Sequence, residues 1–157
     1  IMLGLDGLAA GAATAGCCAQ MIGFAVISYR DNGIGGLISQ GIGTSMLQMS
    51  NIIKKPAIWI PPTLAAAVTG PISTLVFKLE CTGVSAGMGT CGLVGQIGVY
   101  TGWLNDIASG TKAAVTAMDW IGLILICFVL PAVLSWLICQ YMRKKEWIGP
   151  DDLKLDL

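Results

Sequence analysis

The stretch "DWIGLILICFVLPAVLSWLICQYM", residues 119–142, decides the fold class. It has 24 residues, and its only charge is at the first position. An α-helix of this length extends about 36 Å, enough to cross the hydrocarbon core of a bilayer, which is roughly 30 Å thick. The stretch therefore predicts a membrane-spanning helix, which Pro131 is expected to kink. Trp136 lies inside it, away from the interface that tryptophan prefers, and the basic run RKK, residues 143–145, ends it.

The rest of the chain is also poor in charge. Of its 157 residues, 55% are hydrophobic and 11% are charged, whereas soluble domains carry roughly 25% charged residues. Two more runs, residues 3–28 and 57–77, are long and apolar enough to span a bilayer. In the first of these runs, Asp6 is expected to mark a helix end or a fragment boundary. In the run 57–77, the three prolines Pro61, Pro62 and Pro71 predict a kinked or broken helix. The sequence thus predicts an all-α, polytopic transmembrane protein.

Two further segments, residues 33–53 and 82–103, are apolar but rich in glycine. The flanks of the first, Arg30 and the pair Lys54 and Lys55, favour the cytoplasm, as do residues 143–145. The run 57–77 then leads out of the cytoplasm, and the stretch 119–142 leads back into it. The second segment, which lies between them, therefore begins and ends outside. A segment that starts and ends on one side of a membrane cannot span it. Both are therefore predicted to be re-entrant, from opposite faces, with protein or a wet cavity covering their irregular backbone.

The two glycine-rich segments share a pattern. "GIGTSML" at residues 41–47 and "GMGTCGL" at residues 87–93 both read G-x-G-T-x-x-L. Inverted repeats whose broken helices meet near the midplane are typical of secondary transporters. Chance similarity, or glycines that serve only close helix packing, are the alternatives.

Several other classes of site are excluded. Gly87, Gly89 and Gly92 spell G-x-G-x-x-G, but a dinucleotide fingerprint needs a preceding strand and a βαβ unit, which are not indicated here. The chain has six cysteines without a C-x-x-C pair and no histidine, so neither a metal site nor a cofactor is expected. Zero net charge argues against nucleic acid as a partner.

The motifs "IWIPPTLAAAVTGPIST" at residues 58–74 and "GMGTCGLVGQIG" at residues 87–98 carry a family resemblance. The chain resembles the membrane-embedded IIC subunits of bacterial sugar phosphotransferase systems, in the perfringolysin-regulator-like branch, over roughly residues 1–145. The resemblance implies the C-terminal half of a longer, dimeric subunit of the bacterial inner membrane. Such a subunit binds a sugar and presents it to a cytoplasmic phosphocarrier subunit. Better-studied branches use a histidine and a glutamate at the sugar site, and this chain has no histidine.

Polar residues inside the glycine-rich segments are the candidate sugar ligands. Buried polar groups without a partner are costly, so intramembrane polar residues tend to mark ligand sites or helix contacts. A carboxylate at the entry to the second segment could accept sugar hydroxyls. The candidates are Thr44, Gln48, Asn51, Glu80, Thr90 and Gln96. The alternatives are bonds between helices for the amides, bonds to helix carbonyls for the threonines, and a solvated pair with Lys78 for the glutamate.

These observations lead to one hypothesis and two alternatives. Residues 1–145 are expected to form the membrane domain, in contact with lipid and with the N-terminal half, and residues 146–157 a short polar cytoplasmic tail. The chain is predicted to be a homodimeric sugar transporter component without catalytic residues, since a partner subunit would transfer the phosphoryl group. A regulatory or structural membrane protein is the first alternative, and a channel is the second.

Overall fold

The computed structural model describes residues 7–155, so the prediction for Asp6 lies outside the described part of the chain. Between those residues the only β contact is an isolated antiparallel bridge joining Gly7 and Cys81, which confirms the all-α prediction. The α-helices are α1 (Leu8–Ile27), α2 (Tyr29–Ile38), α3 (Met49–Lys54), α4 (Ile60–Leu75), α5 (Val94–Ala108), α6 (Ala117–Ile124) and α7 (Leu130–Lys144). Short 3-10 or π turns lie at Ser39–Gly43, Ser45–Gln48, Pro56–Trp59, Cys91–Leu93 and Leu125–Val129.

Three helices in the described part of the chain are long and apolar enough to cross a membrane. They are Leu8–Ile27, Pro56–Leu75 and Ala117–Lys144, and they match the three apolar runs of the sequence. The last joins α6 and α7 into 28 continuous residues. The structure therefore confirms a polytopic transmembrane chain.

Proline positions are accommodated by local geometry. Pro61 and Pro62 lie in the first turn of α4, where a missing amide removes no intrahelical bond. Pro71 lies inside α4, which nevertheless continues to Leu75; the irregular part of this span is the 3-10 turn that precedes it. In the last span the π turn Leu125–Val129 comes just before Pro131. That turn holds the carbonyl four residues before the proline, where the ring would clash in a regular helix.

The three spans pack through close contacts at small residues. A Cβ on Gly23 of α1 would lie 2.9 Å from Pro62 Cβ and 2.7 Å from Ser135 Oγ, so α1 touches both α4 and α7 there. Gln20 Nε2 also donates to Thr63 Oγ1 over 3.2 Å. Because the end of α1 meets the start of α4, these two helices are antiparallel.

The same end of the bundle holds the end of α7, because Arg143 donates to the carbonyl of Ile27 over 3.4 Å. We call it the basic end: α1 and α7 end there and α4 begins there. Residues 28–59 leave and return at the basic end, and residues 76–116 leave and return at the opposite end. The basic residues in or next to these helix termini are Arg30, Lys54, Lys55, Arg143, Lys144 and Lys145.

The outer faces of the bundle are apolar. On α4 the side chains of Ile60, Leu64, Val68 and Leu75 are all at least 39% exposed. Only a third of the most apolar window of the second and third spans is buried, against 61% for the first. Helix α1 is therefore the inner helix, and the other two present apolar faces suited to lipid or to another polypeptide.

Candidate functional site

Both glycine-rich segments pack against helix α1. The first packs at Gly41, whose Cβ position lies 3.5 Å from Ala25 Cβ. The second packs at Gly89, whose Cβ position lies 2.7 Å from the carbonyl carbon of Cys17. Cys17 lies near the middle of the 20-residue helix α1. The second segment therefore reaches halfway along the bundle, and the first reaches α1 about two turns away.

The second segment is shaped by glycine and by left-handed backbone. Gly89, Gly92 and Leu93 have φ of 55°, 54° and 59°, a region that L-residues with a Cβ avoid. A Cβ on Gly95 would lie 2.5 Å from the Gly89 carbonyl oxygen, and the Gly95 amide donates to that oxygen over 2.9 Å. This tight turn ends at Leu93, and α5 runs from it back to the opposite end. The start of α5 therefore lies inside the bundle.

The two glycine-rich segments meet: the turn Ser39–Gly43 contacts the turn Cys91–Leu93. Each side of this contact holds a buried polar atom without a hydrogen-bond partner among the described residues. These atoms are Gln40 Oε1 and Thr90 Oγ1, in side chains that are fully buried. The Gln40 amide nitrogen is satisfied, since it donates to Ser28 Oγ over 2.7 Å. We call the contact between the two turns, with these two atoms, the turn junction.

Two other candidates, Thr44 and Gln96, lie next to the two turns and make local hydrogen bonds. Thr44 is exposed, and its Oγ1 accepts from the amide of Met46 over 3.2 Å. In one orientation of its amide, Gln96 donates to Cys18 Sγ over 3.4 Å. In the other, which satisfies both amide atoms, its nitrogen lies 3.3 Å from the carbonyl oxygens of Gly89 and Leu93. Gln96 thus supports the shape of the second turn.

Gln48 and Asn51 lie together, but at the basic end, where they bind the C-terminal tail. Gln48 Nε2 donates to the carbonyl of Leu153 over 2.9 Å, and Asn51 Nδ2 donates to that of Lys154 over 2.8 Å. Asn51 also donates to Gln48 Oε1 over 2.8 Å. Asn32 donates to the Leu153 carbonyl over 2.6 Å and accepts from the amide of residue 155 over 2.7 Å. These amides hold residues 153–155 against the first segment.

The tail is fixed by packing and charge as well. Ile148 and Leu153 are buried in one apolar cluster with Phe24. Lys55 Nζ pairs with Asp152 Oδ2 at 2.5 Å. Burial of the Asp152 carboxyl raises its pKa, but hydrogen bonds from Lys55 and the Gly149 amide, with the nearby positive charges, outweigh burial and hold that pKa below its usual value.

Glu80 lies at the opposite end, away from the amides that bind the tail. It lines a small hollow of about 190 Å³ that also contains Lys78, Trp103, Asp106, Thr111 and Lys112. Among the described residues it forms no ion pair within 4.0 Å, with Lys78 or any other cation. The six sequence candidates are thus separated: Thr90 lies at the turn junction, Gln48 and Asn51 lie at the tail contact, and Glu80 lines this hollow. Thr44 and Gln96 lie next to the two turns and make local contacts.

Reasoning from the sequence missed Gln40. It is one of several polar residues in residues 33–53, and nothing in the local pattern distinguishes it from Gln48. The signal was its position in the irregular stretch just before "GIGTSML". In residues 7–155 no group of three or more side chains could hold a metal ion, and Cys18, Cys127 and Cys139 are buried free thiols.

The class of protein is now defined by three apolar spans joined by two glycine-rich segments that meet inside the bundle. The family model described as Phosphotransferase system, EIIC matches residues 1–155, and the chain belongs to that family. It is accordingly a multi-pass membrane protein and a IIC-type component of sugar transport, in agreement with the resemblance seen in the sequence. No curated protein and no solved structure matches the chain.

Proposed function

We propose that this chain binds a sugar at the turn junction and presents it to a cytoplasmic phosphocarrier subunit. The observation that carries the proposal is the pair of buried, unpartnered oxygens, Gln40 Oε1 and Thr90 Oγ1. An unsatisfied buried polar group costs about 1–3 kcal/mol. A sugar hydroxyl that donates to each oxygen would remove that cost, which makes the pair a ready site for a polyhydroxylated ligand.

Backbone geometry supports the same site. The second segment contains three residues with left-handed backbone, Gly89, Gly92 and Leu93. They stop the backbone from continuing as a helix. Irregular backbone inside a membrane protein commonly lines a cavity or a ligand site. We therefore propose that both segments re-enter the bilayer, the first from the basic end and the second from the opposite end.

Four buried side-chain oxygens have no hydrogen-bond partner among the described residues: Gln20 Oε1, Gln40 Oε1, Thr90 Oγ1 and Ser135 Oγ. Of these, Gln40 and Thr90 are the two that lie in the glycine-rich segments. We propose Thr90 and Gln40 as direct sugar ligands, with Thr44 beside them and Gln96 as the residue that shapes the turn. Gln48 and Asn51 would reach a sugar only after the tail leaves them. Glu80, in its hollow at the opposite end, would act at the entry to the second segment.

The basic end is the proposed cytoplasmic side. It collects six basic residues from three helix termini, the start of α2 and the ends of α3 and α7, which fits the positive-inside rule. The phosphocarrier subunit would dock there and transfer a phosphoryl group to the sugar once the site opens to that side. We also propose a dimer in which the N-terminal half covers the apolar face of α4.

Sugar binding with the protein in proteoliposomes tests the assignment. A panel of radiolabelled sugars is bound to the wild type, to Thr90→Val, and to the matched control Thr101→Val. Thr101 is exposed on α5, and its side chain donates to the Ile97 carbonyl four residues earlier. We expect Thr90→Val to weaken binding of one sugar by about tenfold, since each 1.4 kcal/mol is a factor of ten, with Thr101→Val unchanged. Gln40→Met should act like Thr90→Val.

Two outcomes would contradict the proposal. Binding that survives both Thr90→Val and Gln40→Met would place the sugar elsewhere. A wild type that is folded but insensitive to every sugar, and that binds a partner protein instead, would favour the regulatory alternative. The phosphocarrier step is tested separately: phosphorylated sugar should form only when the cytoplasmic subunit is added.

A further inference from the structure

A groove at the basic end is not used by the proposed sugar site. It has a volume of about 600 Å³ and lies between the end of α1, helix α2 and helix α7. This volume is within the range of small-molecule pockets, roughly 300–1,000 Å³. Its lining residues include Val26, Ile34, Leu37, Trp136, Arg30 and Arg143. The groove therefore combines an apolar wall with two guanidinium groups.

The polarity of the groove changes along α7. Trp136 and Arg143 are seven residues apart, which places them on one face of the helix about 10 Å apart along its axis. Cys139 and Gln140 lie between them on the same face and also line the groove. The groove thus has an apolar part level with Trp136 and a basic part level with Arg143, toward the helix terminus.

The basic part carries an uncompensated positive charge. Arg143 pairs with Asp31, with 2.9 Å between Nη2 and Oδ2. Arg30 has no carboxylate within 4.0 Å among the described residues. Because Asp31 neutralises only one of the two guanidinium groups, an anion at Arg30 would balance the second.

We propose that this groove binds one anionic phospholipid, with its phosphate at Arg30 and an acyl chain along Ile34, Leu37 and Trp136. The occupant must supply both an anion and an apolar chain, in that order from the helix terminus inward, and an anionic phospholipid does so. Tyr29 lines the groove next to Arg30 and is 49% exposed; an amphipathic ring at this position suits the headgroup boundary. Basic pockets between membrane helices are a recurring form of lipid headgroup site. This site also gives Trp136 a role, although it lies inside the span.

Native mass spectrometry tests the proposal. The protein is released from mild detergent containing equal amounts of phosphatidylglycerol and phosphatidylcholine, and the retained lipids are counted. We expect one phosphatidylglycerol to be retained in preference to phosphatidylcholine. Arg30→Gln should reduce that preference by about fivefold, the effect of one basic residue near a lipid headgroup. The control Lys144→Gln removes a charge beside Arg143 that does not line the groove, and it should retain the lipid.

A second pair of variants tests the apolar part without removing a buried side chain. Ile34 and Ile38 are both exposed on α2, at 65% and 55%, but only Ile34 lines this groove. Ile34→Ser should reduce retention and Ile38→Ser should not. Equal retention of both lipids, or no response to Arg30→Gln, would overturn the proposal. So would displacement by glycerol phosphate alone, or a dimer that carries no lipid because a second copy fills the groove.

Discussion

The two glycine-rich segments share the pattern G-x-G-T-x-x-L but are held in the bundle by different interactions. The second segment is held by backbone in close contact with α1: Gly89 packs on the Cys17 backbone and Gly95 on the Gly89 carbonyl. The first touches α1 at Gly41 over an ordinary 3.5 Å. Its other anchors are hydrogen bonds from side-chain amides: Gln40 donates to Ser28 Oγ at the end of α1, and Gln48 and Asn51 donate to the tail.

This difference separates a fixed element from a detachable one. Close backbone contacts with left-handed dihedrals leave little room for an alternative arrangement. Hydrogen bonds from amides to a terminal tail can be exchanged for water at the end of the bundle. In an alternating-access cycle, we expect the first segment to move against α1 and the second to stay with it.

The largest expected effect is that of Gly89→Ala. The added Cβ would lie 2.7 Å from the Cys17 carbonyl carbon, and the alanine would have to keep the left-handed φ of 55°. Overpacking costs about 1–3 kcal/mol, and a left-handed residue about 1–2 kcal/mol more. We expect a loss of about 2–5 kcal/mol in stability, measured by thermal unfolding in detergent. Gly87→Ala is the matched control, because no atom of residues 7–155 apart from its chain neighbours lies within 4 Å of its Cβ position. Equal stability of the two variants would show that the second segment is not fixed by this contact.

The next effect is expected when the tail is loosened by Leu153→Asp. Leu153 is fully buried, and its carbonyl accepts from both Gln48 and Asn32. A charge there should detach the tail, because an unpaired buried charge is unfavourable. Amide hydrogen exchange should rise tenfold or more in residues 45–54 and stay unchanged in residues 89–95. Lys154→Ala keeps the backbone carbonyl and should leave exchange unaltered. Faster exchange in both segments alike would show that the first segment is not more easily detached than the second.

A smaller effect is expected from Gln96→Met. The amide of Gln96 lies within 3.3 Å of the Gly89 and Leu93 carbonyl oxygens in its better-satisfied orientation. Its loss should cost about 1–2 kcal/mol of stability and weaken sugar binding through the shape of the turn. Exchange protection of residues 89–95 should fall while the tail stays attached. If only the tail loosened, Gln96 would not be the support of the second turn.

The smallest effect is the response of the tail to acid. The pKa of Asp152 is lower in the folded protein than in the unfolded chain. Its contribution to stability is therefore complete above the unfolded value, about 3.9, and is lost as the pH falls through the lower folded value. Cleavage of the tail by pepsin should accelerate below about pH 4 in the wild type. Asp152→Asn is the reference at each pH, because the activity of pepsin itself changes with pH. A ratio of wild-type to variant cleavage that is the same above and below about pH 4 would contradict this role for Asp152.

The spans could be predicted from the sequence because apolar length alone defines them: the stretch 119–142 lies within the observed helix Ala117–Lys144. The location of the polar side chains could not. Gln40 and Gln48 are the same residue type in the same segment. They differ in the structure because Gln40 lies in the turn that contacts the second segment, whereas Gln48 donates to a carbonyl 105 residues away in sequence. The tail contact depends on such distant backbone atoms, which no local pattern reports. The G-x-G-T-x-x-L repeat did identify the two segments that meet.

Cross-linking tests whether the two glycine-rich segments meet at the turn junction and form the sugar site there. With the other cysteines replaced, native Cys91 is paired in turn with Ser39→Cys, Ile42→Cys or Gly43→Cys, and a short bifunctional thiol reagent is added to membranes. We expect an intramolecular cross-link from at least one of these positions, and we expect the sugar that the protein binds to slow its formation. Ile53→Cys, in the same segment but outside the turn, should give none. Absence of a cross-link from all three turn positions, or links only between molecules, would contradict a site built where the two segments meet.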